Sequence, residues 1–259
     1  SISTGQGAQG WELGFIHSGV SPVHPVTVLG VAGESYQTWR TLRRQRRMAM
    51  AIMANAEYAV VSFTNDAYAP RTLGQFQTDL LATTRELSGI GLRVYVCTLT
   101  PRTTSTDGWF TLANQTLVAN NSTRQSYNDW LRTMADPSIA GVVDVASVVE
   151  EGTTGKWKAP DGGVLFSGTI TTTQVNYVND AAANFQSSIQ GYTLRNTNTA
   201  TLAAIAMVVS TIQINTSTGN NYTIGDAYTI YKGLTVDGVH PTPYGHTVMG
   251  TYLSAAGLV

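Results

Sequence analysis

Along the first 150 positions, apolar residues cluster in two alternating ways. Short β-branched runs at residues 26–29, 58–63 and 93–99 are bounded by glycine, proline or an Asn-Asp pair, and each predicts a buried strand. Between them lie stretches of helical length. Residues 36–53 contain neither Gly nor Pro, while residues 72–88 set Leu73, Phe76, Leu80, Leu81 and Leu87 on one broad apolar face that ends at Gly89. Residues 126–134 predict another helix and 141–148 another strand. Strand and helix alternating over short links predict a mostly parallel sheet covered on both faces.

The pattern changes after Glu151. Residues 152–234 are rich in Thr, Asn and Gly, with short β-favouring runs at 164–170 and 227–231. Residues 203–214 fit helix or strand equally. The stretch predicts a partly β insertion set into the α/β domain, which would then comprise residues 1–151 and 235–259. A helix is expected again from Pro243 to about residue 256. No internal repeat is visible.

Composition narrows the function classes. Hydrophobic residues make up 42% of the 259, as in globular proteins, but charged residues only 12%, about half the usual share. Fifteen Lys and Arg against sixteen Asp and Glu leave a net charge of −1, which argues against a nucleic-acid partner. The single cysteine, Cys97, excludes an intramolecular disulfide and a cysteine-based zinc site. The longest apolar run, residues 202–209, is too short to span a bilayer.

Four segments carry residues suited to chemistry. In Asp237-Gly238-Val239-His240, followed by Pro241 and a predicted helix, the carboxylate can accept from one imidazole nitrogen while the other faces a nucleophile. An Asx-turn beside a surface histidine is the competing reading. His246, the other candidate base, falls on the helix and is expected to pack. In Ser62-Phe63-Thr64-Asn65-Asp66, Asn65 follows a strand, where its amide can donate to an oxyanion or simply form a turn. In Gly30-Val31-Ala32-Gly33-Glu34-Ser35, Gly33 frees a backbone N–H for close approach, and Ser35 is a nucleophile or a helix cap. The fourth segment is Ser1-Ile2-Ser3-Thr4-Gly5, on its own a small polar turn.

Taken together, these segments resemble the SGNH (GDSL-type) hydrolase superfamily. Ser1-Ile2-Ser3-Thr4-Gly5 is similar to its first block from the serine onward, Leu29-Gly30-Val31-Ala32-Gly33 to the second, Thr64-Asn65-Asp66 to the third and Asp237-Gly238-Val239-His240 to the fifth. Ser1, Gly33 and Asn65 are spaced 32 residues apart, about one strand–helix unit, and the likeness covers about 170 residues. Phe63 departs from it, standing where the third block has Gly. The resemblance implies a flavodoxin-like three-layer α/β/α fold and a serine esterase that needs no cofactor and no metal. Ser1 is then the nucleophile, with Ser35 in reserve, His240 the general base and Asp237 its orienting carboxylate. The oxyanion hole is formed by Ser1, Gly33 and Asn65. The family's first strand ends at the nucleophile, so the resemblance also implies that an upstream segment or a separate peptide supplies that strand before Ser1.

The expected reaction is hydrolysis of an acetyl or short acyl ester, with a carbohydrate as the expected carrier, through an acyl-serine intermediate. The alternative is a non-catalytic module that binds a glycan or a partner on the same scaffold. The low charge and polar insertion suit an extracellular or virion-associated protein. Arg40, Arg43, Arg44, Arg46 and Arg47 form either a solvated helix face or a surface for an anionic partner. Trp109, Trp130, Trp157, Tyr177, Tyr222 and Tyr228 are candidates for stacking on sugar rings or for packing.

Overall fold

Side chains at residues 94–97 alternate between two cores. Val94 and Val96 join Val61, Phe76, Leu80 and Tyr127 on one side, while Tyr95 and Cys97 join Val143, Val149, Met249 and Leu253 on the other. A strand buried on both faces must be apolar at nearly every position, which is how this run reads. The computed structural model describes residues 44–53, 56–62, 71–216 and 219–255. In chain order its first elements are α1 (Arg44–Met53), β1 (Tyr58–Val61), α2 (Leu73–Gly89), β2 (Arg93–Cys97), β3 (Thr103–Ser105), β4 (Gln115–Leu117), α3 (Asn121–Thr133), β5 (Gly141–Val143) and α4 (Val145–Val149). Strands β6 (Phe166–Thr169), β7 (Gln174–Val175), β8 (Tyr177–Asn179), β9 (Thr193–Asn196), β10 (Leu202–Ser210), β11 (Gln213–Thr216), β12 (Asn221–Tyr222) and β13 (Ala227–Tyr231) follow, and α5 (Pro243–Ala255) ends the described chain.

Strands β1, β2 and β5 pair in parallel in the order β1-β2-β5. Helices α1, α2 and α3 contribute to the core on one face, α4 and α5 to that on the other. Helix α2 starts at a capping box: the Thr72 hydroxyl accepts the Gln75 N–H and the Gln75 side chain accepts the Thr72 N–H, an arrangement worth about 1 kcal/mol.

Two expectations are corrected here. Parallel pairing is confined to three described strands, whereas β6-β13-β9-β10-β11-β8 form a six-stranded antiparallel sheet. The described chain is therefore a mixed α/β fold with a small parallel and a larger antiparallel sheet, not a mostly parallel three-layer one. The Thr/Asn/Gly-rich segment explains the difference, since its short runs separated by turns pair antiparallel. Residues 141–148 do not form one strand: β5 stops at Val143, and Asp144 turns the chain into α4. The Thr98 hydroxyl donates to Asp144 (2.8 Å) and accepts the Ala146 N–H (2.9 Å), while Arg132 holds the same carboxylate. Of the aromatic residues that the sequence offered for stacking or packing, Trp109, Trp157, Tyr222 and Tyr228 are buried and pack, as expected for most of them.

Residues 203–210, undecided by periodicity, are strand, part of β10. The antiparallel sheet has its own core, including Ile170, Val178, Leu194, Ile205, Ile214 and Ile230. It meets the parallel-sheet unit through Tyr231, whose hydroxyl donates to the Gly108 carbonyl (2.9 Å) and whose ring Phe110 approaches edge-on. Arg44 pairs with Glu86 at 2.7 Å, and Arg40 and Arg43 lie outside the described residues. Among the described residues no helix is long and apolar enough to cross a membrane.

Candidate functional site

Residues 235–242 are shaped first by their own polar side chains. The Thr235 hydroxyl accepts the Gly238 N–H (2.9 Å) and donates to the His240 carbonyl (2.8 Å), and Thr235 bridges to Pro241. Gly238 has φ +75°, and a Cβ there would lie 1.8 Å from the Thr103 carbonyl oxygen. Only glycine satisfies both the conformation and the space. After the loop, Thr242 accepts the Gly245 N–H and Pro243 opens α5, a cap-and-proline start that fixes the direction in which the loop exits.

Within this loop Asp237 serves two partners. One carboxylate oxygen accepts the backbone N–H groups of Val239 and His240, both at 2.8 Å, and the other lies 2.7 Å from His240 Nδ1. The Asx-turn and the oriented imidazole, competing readings of the sequence, are both present in one motif. Half-burial acts to raise the Asp237 pKa, but the hydrogen bonds from the His240 side chain and from the two backbone N–H groups outweigh it and hold the carboxyl below its usual range. Asp237 is thus ionised at neutral pH, which sets Nδ1 as the protonated nitrogen and leaves Nε2 with its lone pair. The His240 side chain is 80% exposed and Asp237 47%. A contact so exposed contributes at most about 1 kcal/mol to stability, so its effect is orientation.

The loop docks through one carbonyl. Gly238 O accepts the Thr103 N–H (3.0 Å) and the Trp157 Nε1–H (3.1 Å). Thr103 lies on the segment leaving the carboxyl end of β2, the side of a parallel sheet where sites are built. Trp157 is in turn held by Gln115, whose amide accepts the Trp157 N–H and donates to its carbonyl. Trp157 also bridges to Glu150, which forms a buried two-pronged pair with Arg124; Arg124 donates as well to the Leu99 carbonyl, just past β2. Sequence reading missed this support because its members are far apart in the chain; an Arg inside a predicted helix and a Glu after a β-branched run give no pairing signal.

His246 is buried on α5 with no hydrogen-bond partner for Nδ1, and burial together with nearby His240 lowers its pKa to about 4. It is a neutral packing residue, not a second base. Ser1, Gly33, Ser35 and Asn65 lie outside the described residues, as does Phe63. Of the candidate site, the structure places Asp237 and His240 and brings them together. Among the described residues no group of three His, Cys, Asp or Glu is arranged to hold a metal ion.

No family model matches the chain, and no curated protein matches it. Among solved structures, an alanine racemase from Clostridium difficile 630 in complex with cycloserine aligns over 93% of this chain and 77% of its own, at 10% identity and a TM-score of 0.25. A likeness that low carries no conclusion about fold or function.

Proposed function

We propose that the chain is a serine ester hydrolase of the SGNH type, acting on acetyl or short acyl esters, with acylated carbohydrates as the substrate class suited to its polar, weakly charged composition. The supporting observation is the 2.7 Å contact of Asp237 with His240 Nδ1 in a three-residue motif docked beside the carboxyl end of β2. In this reading the parallel sheet and its helices belong to the hydrolase domain of residues 1–151 and 235–259, and residues 152–234 form the insertion. The protein works outside the cell or on a virion.

The chemistry follows from the dyad. Ser1 Oγ attacks the ester carbonyl carbon as His240 Nε2 takes its proton, and Asp237 stays ionised to stabilise the imidazolium. The Ser1 and Gly33 N–H groups and the Asn65 amide donate to the oxyanion. The alcohol leaves with the proton from His240. Water then attacks the acyl-serine, giving its proton to His240, and the carboxylic acid departs as Ser1 recovers that proton. The test is turnover of a short-chain nitrophenyl ester, lost in His240→Ala; glycan binding with no turnover by the parent protein would replace this reading with the binding module.

A further inference from the structure

The peptide unit joining Gly238 to Val239 connects the buried interior to the Asp237–His240 pair. Its carbonyl accepts the Trp157 indole N–H at 3.1 Å and the Thr103 N–H at 3.0 Å, while its own N–H donates to Asp237 at 2.8 Å. A peptide unit is planar, so its C=O and N–H point in opposite directions and cannot turn independently. Fixing the carbonyl from below therefore aims the N–H at the carboxylate above, and the carboxylate's other oxygen aims the imidazole. Bonds in such a chain also polarise one another.

From this geometry we infer that Trp157 is a positioning residue for His240, acting through the Gly238–Val239 peptide and Asp237; its role in turnover rests on the hydrolase reading above. The indole is suited to the task because it is itself immobile. It is fully buried, its backbone exchanges two hydrogen bonds with the Gln115 amide, and it bridges to Glu150 of the buried pair with Arg124. Pure packing would be served by any large apolar ring. What singles out tryptophan here is a donor aimed at the backbone between the two members of the dyad.

The experiment is Trp157→Phe, which keeps an aromatic ring and removes the N–H, read by NMR of histidine-labelled protein alongside ester kinetics. The expected result is loss or broadening of the His240 Nδ1–H resonance, an upward move of the Asp237 titration, and a kcat lower by about ten- to a hundredfold with KM unchanged. An unchanged Nδ1–H resonance and Asp237 titration in a folded Trp157→Phe protein overturns the inference. Because the NMR readout needs no substrate, a wild-type protein that lacks esterase activity but whose Trp157→Phe variant shows these shifts refutes the hydrolase reading and leaves the positioning role standing. Should Trp157→Phe fail to fold, Asp237→Asn reads the same connection from its exposed end. The Trp157 indole N–H resonance is then expected to shift, and an unmoved resonance overturns the inference.

Discussion

Asp237 holds His240 twice, accepting its backbone N–H at 2.8 Å with one carboxylate oxygen and lying 2.7 Å from its ring Nδ1 with the other. The same residue thus folds the turn and selects the tautomer. Asp237→Asn is expected to leave the turn largely intact, since an amide oxygen still accepts from the backbone, but to lose the charge that stabilises an imidazolium. Ester turnover should fall by about 10³–10⁴-fold with little change in unfolding midpoint, the pattern seen where an orienting carboxylate is neutralised. Steady-state kinetics beside a denaturation curve checks it, and full activity in the variant would exclude the dyad from catalysis.

Gly238→Ala should be far more damaging to the fold. The substitution forces a side chain into φ +75° and puts its Cβ against the Thr103 carbonyl and the Trp109 ring. Conformational strain and overpacking together are expected to cost about 3 kcal/mol. A urea midpoint within error of the parent would mean that the loop is free to move off Thr103.

The stability of the protein should fall with acid in two separate windows. His246 has its folded pKa lowered from 6.5 to about 4 by burial and by the neighbouring His240. The unfolded chain therefore takes up the proton first, so this contribution is fully present above about pH 6.5 and is lost as the pH drops towards 4, over a span on the order of 3 kcal/mol. Asp107, Asp136, Asp144 and Asp237 are shifted below their usual range. Their contribution is present above about pH 4 and is lost below it. Chemical denaturation across pH should show both slopes, with His246→Gln flattening the upper one; an unaltered slope between pH 4 and 6.5 in that variant would refute the assignment.

The buried Arg124–Glu150 pair supplies a fourth expectation. Both side chains are inaccessible, and Arg124 also donates to Leu99 O. Arg124→Met strands a carboxylate in the interior and should destabilise by about 3–5 kcal/mol. Adding Glu150→Gln removes that charge while keeping an acceptor for the Gly155 N–H, so the double variant should be more stable than Arg124→Met alone. Simple additivity of the two single changes would show that the charges do not interact.

Legibility in the sequence followed the range of the interaction. Helix α2 and strand β2 are readable because their apolar spacing and end signals are local, and so is the Asp237–His240 motif, closed within three residues. The run Val145-Ala146-Ser147-Val148-Val149 reads as strand by its β-branched content, yet Thr98 and Arg132, distant in sequence, gather Asp144 and start a helix that buries Val145, Ala146 and Val149. The antiparallel sheet was visible as short β-favouring runs, but its order β6-β13-β9-β10-β11-β8 depends on pairings such as Ala227 with Thr169, which no local pattern encodes. Trp157 stands 81 residues from its acceptor Gly238, and no local pattern distinguishes an indole that donates to a distant backbone carbonyl from one that only packs.

The central claim is that Asp237 and His240 activate a serine, and the measurement closest to it is labelling with a fluorophosphonate probe followed by peptide mapping of the modified residue. The account predicts a label on Ser1 that is lost in His240→Ala. A label on Ser35 would contradict the assignment of the nucleophile, and the absence of any label on folded protein would contradict the hydrolase itself.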